Sequence, residues 1–220
     1  MADKNQARWV SFWNKLSAHG EPLELYDQIK KRYSEPHRAY HTMEHIAACL
    51  DEFGQARDIA SDPLAIELGI WYHDLVYNVE AKNNEERSAD ALVEAATRTS
   101  LSSALVMQAV RLIMATKHDG NQRNIDDQLI ADIDLAILGK QREIYCKYAR
   151  DIRKEYSSVS DKDYTAGRAG TLGSFANRPR IYFTDYFRSK YEARARQNLE
   201  NEIEELLVGS ARSNLTGRRL

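Results

Sequence analysis

The segment from Gly69 to Tyr77 constrains the fold of this chain most, because it places a histidine beside an aspartate in an otherwise apolar and aromatic stretch. On a helix, the neighbours of His73 and Asp74 three and four positions away would be mainly apolar and aromatic side chains. Burying an imidazole and a carboxylate costs free energy unless each finds a strong partner. The pair therefore either stabilises itself by hydrogen bonding or binds a metal ion. Taken alone, the pair favours the first interpretation.

The rest of the chain predicts an all-α fold. Only 10 of the 220 residues are glycine and 4 are proline, so long helices are favoured over many short strands. Apolar residues recur at helical spacing in successive segments, and no alternating run predicts a strand with confidence. We expect one domain, a helical bundle over residues 1–208, followed by a frayed polar tail over 209–220. The helices that bear on function are expected at 40–53, 62–77, 125–138 and 184–208.

Charge and composition exclude several classes of protein. The formal net charge of −2 does not indicate the excess of basic residues that is typical of proteins that bind a nucleic acid polymer or a membrane. No apolar run has the length of a membrane span or the form of a signal peptide. Cys49 and Cys146 fall in helical segments and predict no disulfide framework. We therefore expect a cytoplasmic protein.

Two further histidines lie near the start of a predicted helix. His41 and His45 are four residues apart and would share one helix face. Taken alone, this spacing favours a surface helix with two incidental histidines. However, His45 lies at the edge of the apolar stripe formed by Ile46 and Cys49, where a ligand projecting into a core cleft would lie.

A distant acid completes the set. Asp134 is flanked by Ile130, Ile137 and Leu138 at helical spacing, which puts it on the apolar face. A carboxylate there must be paired or bound to metal. Asp132 would point to the other side of the helix. It stays an alternative, because the helix register is inferred.

A histidine, an adjacent His-Asp pair and a distant aspartate, all on helices, resemble the HD superfamily of metal-dependent phosphohydrolases. The chain resembles in particular a small bacterial group of predicted HD phosphohydrolases, and its motif order is similar to that of cyclic-nucleotide phosphodiesterases. The shared motifs lie between residues 33 and 205 and read YHTMEHI, WYHDLVY, NNEERSA, ATKH, DIDLAILG and YEARARQNL. The His-Asp pair alone is a weak signal, whereas the ordered set is specific.

The resemblance implies roles for individual residues. The metal ligands would be His45, His73, Asp74 and Asp134. His41 would donate a proton to the leaving oxygen, and His118 would be an additional site histidine. Phosphatase members carry an acid shortly after the pair that this chain lacks. Glu85 or Glu86 could replace it, although capping of the next helix explains both residues as well.

These residues predict a phosphohydrolase that uses a metal-activated water on a small phosphorylated substrate, with a nucleotide as one candidate. The cofactor would be a divalent ion, with Mn, Fe, Co, Zn and Mg all open. Lys117 would neutralise a substrate phosphate or be a solvated loop residue. The alternatives are a di-iron HD-type oxygenase, with His41 and His118 as added ligands, and a non-catalytic metal-binding regulatory protein. A homodimer stays open.

Overall fold

The computed structural model of the chain describes residues 3–16, 18–120 and 122–216, with side chains described as far as residue 209. These residues form ten α-helices and two short 3-10 helices, with no strand among them. The predicted all-α fold is confirmed. Across the same ranges, no helix is both long enough and apolar enough to cross a bilayer.

The α-helices are α1 (Lys4–Trp13), α2 (Pro22–Arg32), α3 (Met43–Ala56), α4 (Pro63–Tyr72), α5 (Asn84–Thr99), α6 (Ser103–Ala115), α7 (Ile125–Asp134), α8 (Arg142–Glu155), α9 (Asp161–Ala176) and α10 (Asp185–Thr216). The chain divides into two compact units, the first ending at Asp134 and the second beginning at Leu135. The first unit contains α1 to α7 and the second contains α8 to α10. The expected single domain over residues 1–208 stays a prediction.

Helix α4 is the centre of the first unit. Seven of its residues are buried, and they lie on all sides of the helix, as expected for a helix surrounded by others. At Gly69 a side chain would be crowded, since an added Cβ would lie 2.9 Å from Ile130 Cδ1 of α7. The Asp62 carboxylate caps the helix by accepting the Ala65 amide N–H at 3.0 Å. The position of α4 in turn fixes the place of the residues beyond its carboxyl end.

Two predicted boundaries near the site are wrong. Helix α4 ends at Tyr72 instead of Tyr77, and His73 is its C-cap residue. The carbonyl groups of Asp74 and Leu75 accept hydrogen bonds from the Arg38 side chain, so they do not continue the hydrogen-bond pattern of the helix. Helix α3 begins at Met43 instead of Tyr40, because the Thr42 side chain caps it by accepting the Glu44 N–H at 3.3 Å. His41 therefore precedes the helix that carries His45.

Two other helices differ from expectation in length. Helix α7 ends at Asp134 instead of Leu138, and residues Leu135–Gly139 form a 3-10 helix. Helix α10 continues to Thr216, beyond the predicted end at Val208. Residues 217–220 of the expected frayed tail lie outside the described residues.

The second unit shows what the polar side chains of the terminal motif YEARARQNL bind. The Arg196 guanidinium donates hydrogen bonds to three carbonyl groups within residues 176–179, at 2.9 to 3.2 Å. The Glu192 carboxylate accepts the N–H groups of Ile181 and Tyr182. Asn198 donates to the carbonyl groups of residues 138 and 140. These side chains bind the backbone of two connectors to α10.

We expect Gly139→Ala to lower the free energy of unfolding by about 1–3 kcal/mol. An added Cβ would collide with Tyr191 Cβ, an atom too close to the backbone to move aside. The matched control is Gly170→Ala in α9, where nothing lies within 4 Å of an added Cβ. This control should raise stability by up to about 1 kcal/mol through helix propensity. Urea unfolding followed by circular dichroism measures both changes, and equal effects would contradict the packing argument.

Candidate metal centre

Four side chains of the first unit converge at the ends of three helices. His45 lies in the first turn of α3, His73 caps α4, Asp74 follows it, and Asp134 is the last residue of α7. The two imidazoles meet through their Nε2 atoms at 3.1 Å. We call His45, His73, Asp74 and Asp134 the ligand cluster. The structure thus brings together the four residues proposed as metal ligands from the sequence.

The carboxylates approach the same two nitrogens. Asp74 Oδ2 lies 3.1 Å from His73 Nε2 and 3.4 Å from His45 Nε2. Asp134 Oδ1 lies 3.2 Å from His45 Nε2 and 3.5 Å from His73 Nε2. Atoms that bind one transition-metal ion at about 2.1 Å lie about 3.0 Å apart in octahedral and about 3.4 Å apart in tetrahedral coordination. The distances from each carboxylate oxygen to the two nitrogens therefore fit those expected around one shared divalent ion.

A hydrogen bond outside the cluster orients the His73 ring. Its Nδ1 lies 2.9 Å from the Ile70 carbonyl oxygen, so Nδ1 carries the proton and donates it to that oxygen. The Nε2 atom is then the one that faces the cluster. Metal-binding histidines commonly donate their second ring N–H to a backbone carbonyl in this way. The last turn of α4 thus prepares His73 as an Nε2 ligand.

Strong electrostatic coupling links the four groups. Burial lowers the pKa of His73, but the Asp74 and Asp134 carboxylates outweigh burial and raise that pKa well above its ordinary value. Burial raises the pKa of Asp74, but the surrounding imidazoles, that of His73 above all, hold it well below its usual range. The cluster can therefore hold positive charge either as protons or as a metal ion, and a metal must displace the protons to bind.

Cys49 also lies near the cluster. His45, Cys49, His73 and Asp134 offer donor atoms within 4.8 Å of one another, so Cys49 competes with Asp74 for the fourth ligand position. The Cys49 sulfur is 3.8 Å from Nδ1 and 3.7 Å from Nε2 of His45. It is therefore almost equally far from the two ring nitrogens, whereas an ion bound to Nε2 would lie beyond that atom and much farther from Nδ1. Asp74 is the better placed ligand.

Sequence reasoning missed Arg38, whose side chain is fully buried. Its guanidinium donates to the carbonyl oxygens of His41 at 3.1 Å, Asp74 at 2.8 Å and Leu75 at 2.9 Å. Its Nε donates to the Glu35 carboxylate at 3.1 Å. We call these contacts the Arg38 clamp. The only signal in the sequence is an arginine three positions before His41, and surface arginines with that spacing are common.

The Arg38 clamp ties two segments of the site together. One carries Asp74, and the other carries His41 and leads into α3. The guanidinium also lies between two aromatic rings, 5.1 Å from the Tyr33 centroid and 5.6 Å from the Tyr77 centroid. Planar stacking and a fork of donors are properties of arginine that lysine lacks. The clamp therefore fixes the irregular backbone after α4.

The motif NNEERSA anchors the same loop from the other side. The Ser88 hydroxyl accepts the Val76 N–H at 3.0 Å and donates to the Val76 carbonyl at 3.3 Å. The Asn84 side chain forms the equivalent pair with the backbone of Asn78, at 3.0 and 2.9 Å. The start of α5 thus binds the loop that follows Asp74.

The two other histidines proposed for the site, His41 and His118, both lie close to the cluster. His41 is partly exposed, stacks on Tyr77 with ring centroids 4.1 Å apart, and lies 5.8 Å from the His45 ring centroid. His118 Nε2 lies 2.8 Å from Asp134 Oδ2, the oxygen that does not face His73. His118 has a left-handed backbone with φ of 54°, which few side chains other than glycine and asparagine adopt readily.

The remaining candidates are placed differently. Lys117 forms an ion pair with Glu86 in the first turn of α5, so Glu86 and not Glu85 is the acid bonded to this lysine. Glu85 lies in the same turn and is partly exposed. Asp132 is completely buried, and its position two residues before Asp134 directs it away from the cluster.

Comparisons of the chain with models of known protein families, with curated proteins and with solved structures find no match. The resemblance to the HD superfamily therefore rests on the sequence motifs, and the geometry of the cluster is argued on its own terms.

We expect Asp134→Asn to abolish tight binding of a divalent ion, while Asp132→Asn keeps it. Asp134 Oδ1 faces the donor nitrogens of both histidines, and an amide oxygen is a weaker, neutral ligand. Metal content after dialysis, measured by mass spectrometry with a stability measurement for each variant, tests this. The opposite ranking in two folded variants would contradict the assignment.

We expect Arg38→Met to lower metal affinity about 10- to 100-fold, the usual effect of removing a residue that orients ligands. It should also destabilise the fold, because three carbonyl groups and the Glu35 carboxylate lose a charged donor. Arg32→Met is the control, since Arg32 contacts the same carboxylate at 3.3 Å from an exposed position. Titration with Co²⁺, followed by absorbance, compares the variants. Equal metal affinities would show that the clamp does not position the ligands.

Proposed function

We propose that this protein is a metal-dependent phosphohydrolase acting on a small phosphorylated molecule. The observation that carries the proposal is the convergence of two imidazole nitrogens, 3.1 Å apart, with two carboxylate oxygens, each 3.1 to 3.5 Å from both nitrogens. Mixed nitrogen and oxygen ligands suit Mn²⁺, Fe²⁺, Co²⁺ or Zn²⁺. The motif resemblance to HD phosphohydrolases agrees with this donor set.

Such an ion lowers the pKa of a bound water and balances negative charge that develops on a phosphoryl group. The four residues of the ligand cluster would bind it, and the Ile70 carbonyl and the Arg38 clamp would keep His73 and Asp74 in position. Four protein ligands leave coordination positions open on an octahedral ion. An ion with a purely structural role is instead usually enclosed by its ligands.

His41 is the best placed group to donate a proton to the leaving oxygen. It lies near the cluster without belonging to it, is partly exposed, and is held by stacking on Tyr77. An imidazole is suited to this task because its ordinary pKa lets it carry and release a proton near neutrality. Its backbone carbonyl is bound by Arg38, as is that of Asp74. Arg38 would therefore position both the proton donor and one metal ligand.

Lys117 supports the proposal less directly. Its ammonium group is paired with Glu86, so binding of a substrate phosphate would require exchange of that partner. The pair is partly exposed, and exposed ion pairs contribute little to stability. Lys117 is thus available to an anionic substrate at small cost.

One observation favours a second candidate, a binuclear centre of the kind that an HD-type oxygenase uses. The two oxygens of Asp134 face different partners, Oδ1 the His45 and His73 nitrogens and Oδ2 the His118 nitrogen. A carboxylate with this arrangement could bridge two ions. An iron-to-protein ratio near two, together with oxygen uptake that depends on an organic substrate, would favour this candidate.

The experiment that tests the proposed function is a hydrolysis screen over phosphomonoesters, nucleotides and cyclic nucleotides. The protein is first stripped with a chelator and then loaded with each divalent ion in turn. The proposal requires phosphate release that appears on loading and is lost in Asp134→Asn. If metal-loaded protein releases no phosphate from any of these substrates, the proposal fails.

We expect His41→Gln to lower turnover by about 10²- to 10⁴-fold, the usual contribution of a general acid, with metal content unchanged. The loss should be smaller for p-nitrophenyl phosphate esters, whose leaving group needs little protonation. His37→Gln is the matched control. This exposed histidine contacts the Tyr77 carbonyl at 3.0 Å in the same connector and should keep full turnover. Loss of metal from His41→Gln would instead make His41 a ligand.

A further inference from the structure

A cavity of about 670 Å³ lies within the first unit, behind the segment that carries Asp74. Its walls come from α2, the connector after it, the end of α4 and the middle of α5. Binding sites for small molecules typically have volumes of about 300–1,000 Å³. The cavity is therefore large enough for a small ligand.

The Tyr72 hydroxyl group is an unused polar group in this cavity. Tyr72 is 3% exposed and lines the cavity. No other group in the described residues forms a hydrogen bond with its hydroxyl. The hydroxyl can therefore donate a hydrogen bond to a ligand in the cavity.

Cations outnumber anions at the cavity. Lys31, Arg32 and Arg98 line it, against Glu35 and Glu94, which leaves one positive charge in excess. Arg98 pairs with Glu94 at 3.1 Å, and both side chains are more than half exposed. Exposed pairs of this kind contribute little to stability. An anionic ligand could therefore take the place of Glu94 beside Arg98.

Arg98 and Tyr72 line the same cavity. A neutral donor and a guanidinium are thus both present in its wall. Besides the polar Gln28 and Ser34, the wall has an apolar part formed by Leu25, Ile29, Leu75, Ala91 and Ala95. Such a wall would bind an aliphatic or aromatic body.

We propose that this cavity binds a small amphipathic anion, a carboxylate or phosphate group on an apolar body. The charged group would accept hydrogen bonds from Tyr72 and Arg98, and the apolar body would lie on the wall that ends at Leu75. This site is separate from the ligand cluster, and its existence does not depend on the proposed hydrolysis.

Two wall residues connect the cavity to the metal centre. Glu35 accepts a hydrogen bond from Arg38 Nε, and the Leu75 carbonyl accepts one from the same guanidinium. Arg38 also binds the carbonyl group of Asp74. A ligand that shifts Glu35 or Leu75 therefore acts on a residue that positions a metal ligand. Binding at the two sites is coupled, and each ligand must change the affinity of the other by the same factor.

The test is isothermal titration of the full chain with sodium octanoate and with octyl phosphate. Octan-1-ol and octylammonium have the same apolar body without the negative charge. We expect both anions to bind at one site per chain and more tightly than the two controls. Tyr72→Phe and Arg98→Gln should each weaken binding roughly tenfold or more, as for a hydrogen bond to a charged group. Tyr164→Phe in α9 and Arg57→Gln, which breaks an ion pair with Glu67, should leave it unchanged.

The coupling is measured by Co²⁺ titration with and without saturating octanoate, where we expect a change of about 5-fold or more. If neither anion binds, or if Tyr72→Phe and Arg98→Gln bind as tightly as the unaltered chain, the cavity site is disproved. If the anions bind but Co²⁺ affinity does not change, the connection through Arg38 is disproved. Neither measurement uses hydrolysis, so a failed hydrolysis screen leaves this proposal standing.

Discussion

The structure of the first unit depends on the desolvation of two imidazoles and two carboxylates at one point. His45 and His73 are almost completely buried, and the side chains of Asp74 and Asp134 are about one-fifth exposed. Isolated charges in such a place would cost several kcal/mol each. Together they offset one another's desolvation, and a shared cation would do so more fully. The helices that carry these groups must therefore meet there, and α4 lies at the centre of the unit as a result.

The four groups lie at helix ends and not in the middle of helices. A helix end leaves carbonyl groups without partners inside the helix, and here Arg38 satisfies those that follow α4. A fully buried guanidinium that binds three carbonyl groups is costly to desolvate, but every one of these contacts is charge-assisted. The local irregularity that frees Asp74 from a helical position is thus stabilised by one side chain.

Much of this arrangement could be predicted from the sequence. The spacing of apolar residues predicted the helices, and it placed Asp134 on the face that meets His45 and His73. The register of Asp132 and Asp134 followed from a helical rotation of about 100° per residue. The ends of α3 and α4 could not be predicted, because they are decided by Thr42 and Arg38. Arg38 contacts residues 36 and 37 positions away in sequence, and no local pattern reports a contact of that range. The sequence also could not predict that the Tyr72 hydroxyl lines a cavity, because a tyrosine in an apolar helix indicates only a core residue.

The direction of the two helices that end at the cluster has an electrostatic consequence. Helices α4 and α7 both arrive by their carboxyl ends, His73 being the C-cap of one and Asp134 the last residue of the other. Each carboxyl end carries roughly half a negative charge from aligned peptide dipoles. The amino end of α3, where His45 lies, opposes only one of these two carboxyl ends, so on balance the backbone adds to the attraction for a cation. In the proposed reaction, the polarity of the three helices therefore favours binding of a metal ion before binding of a phosphate ester.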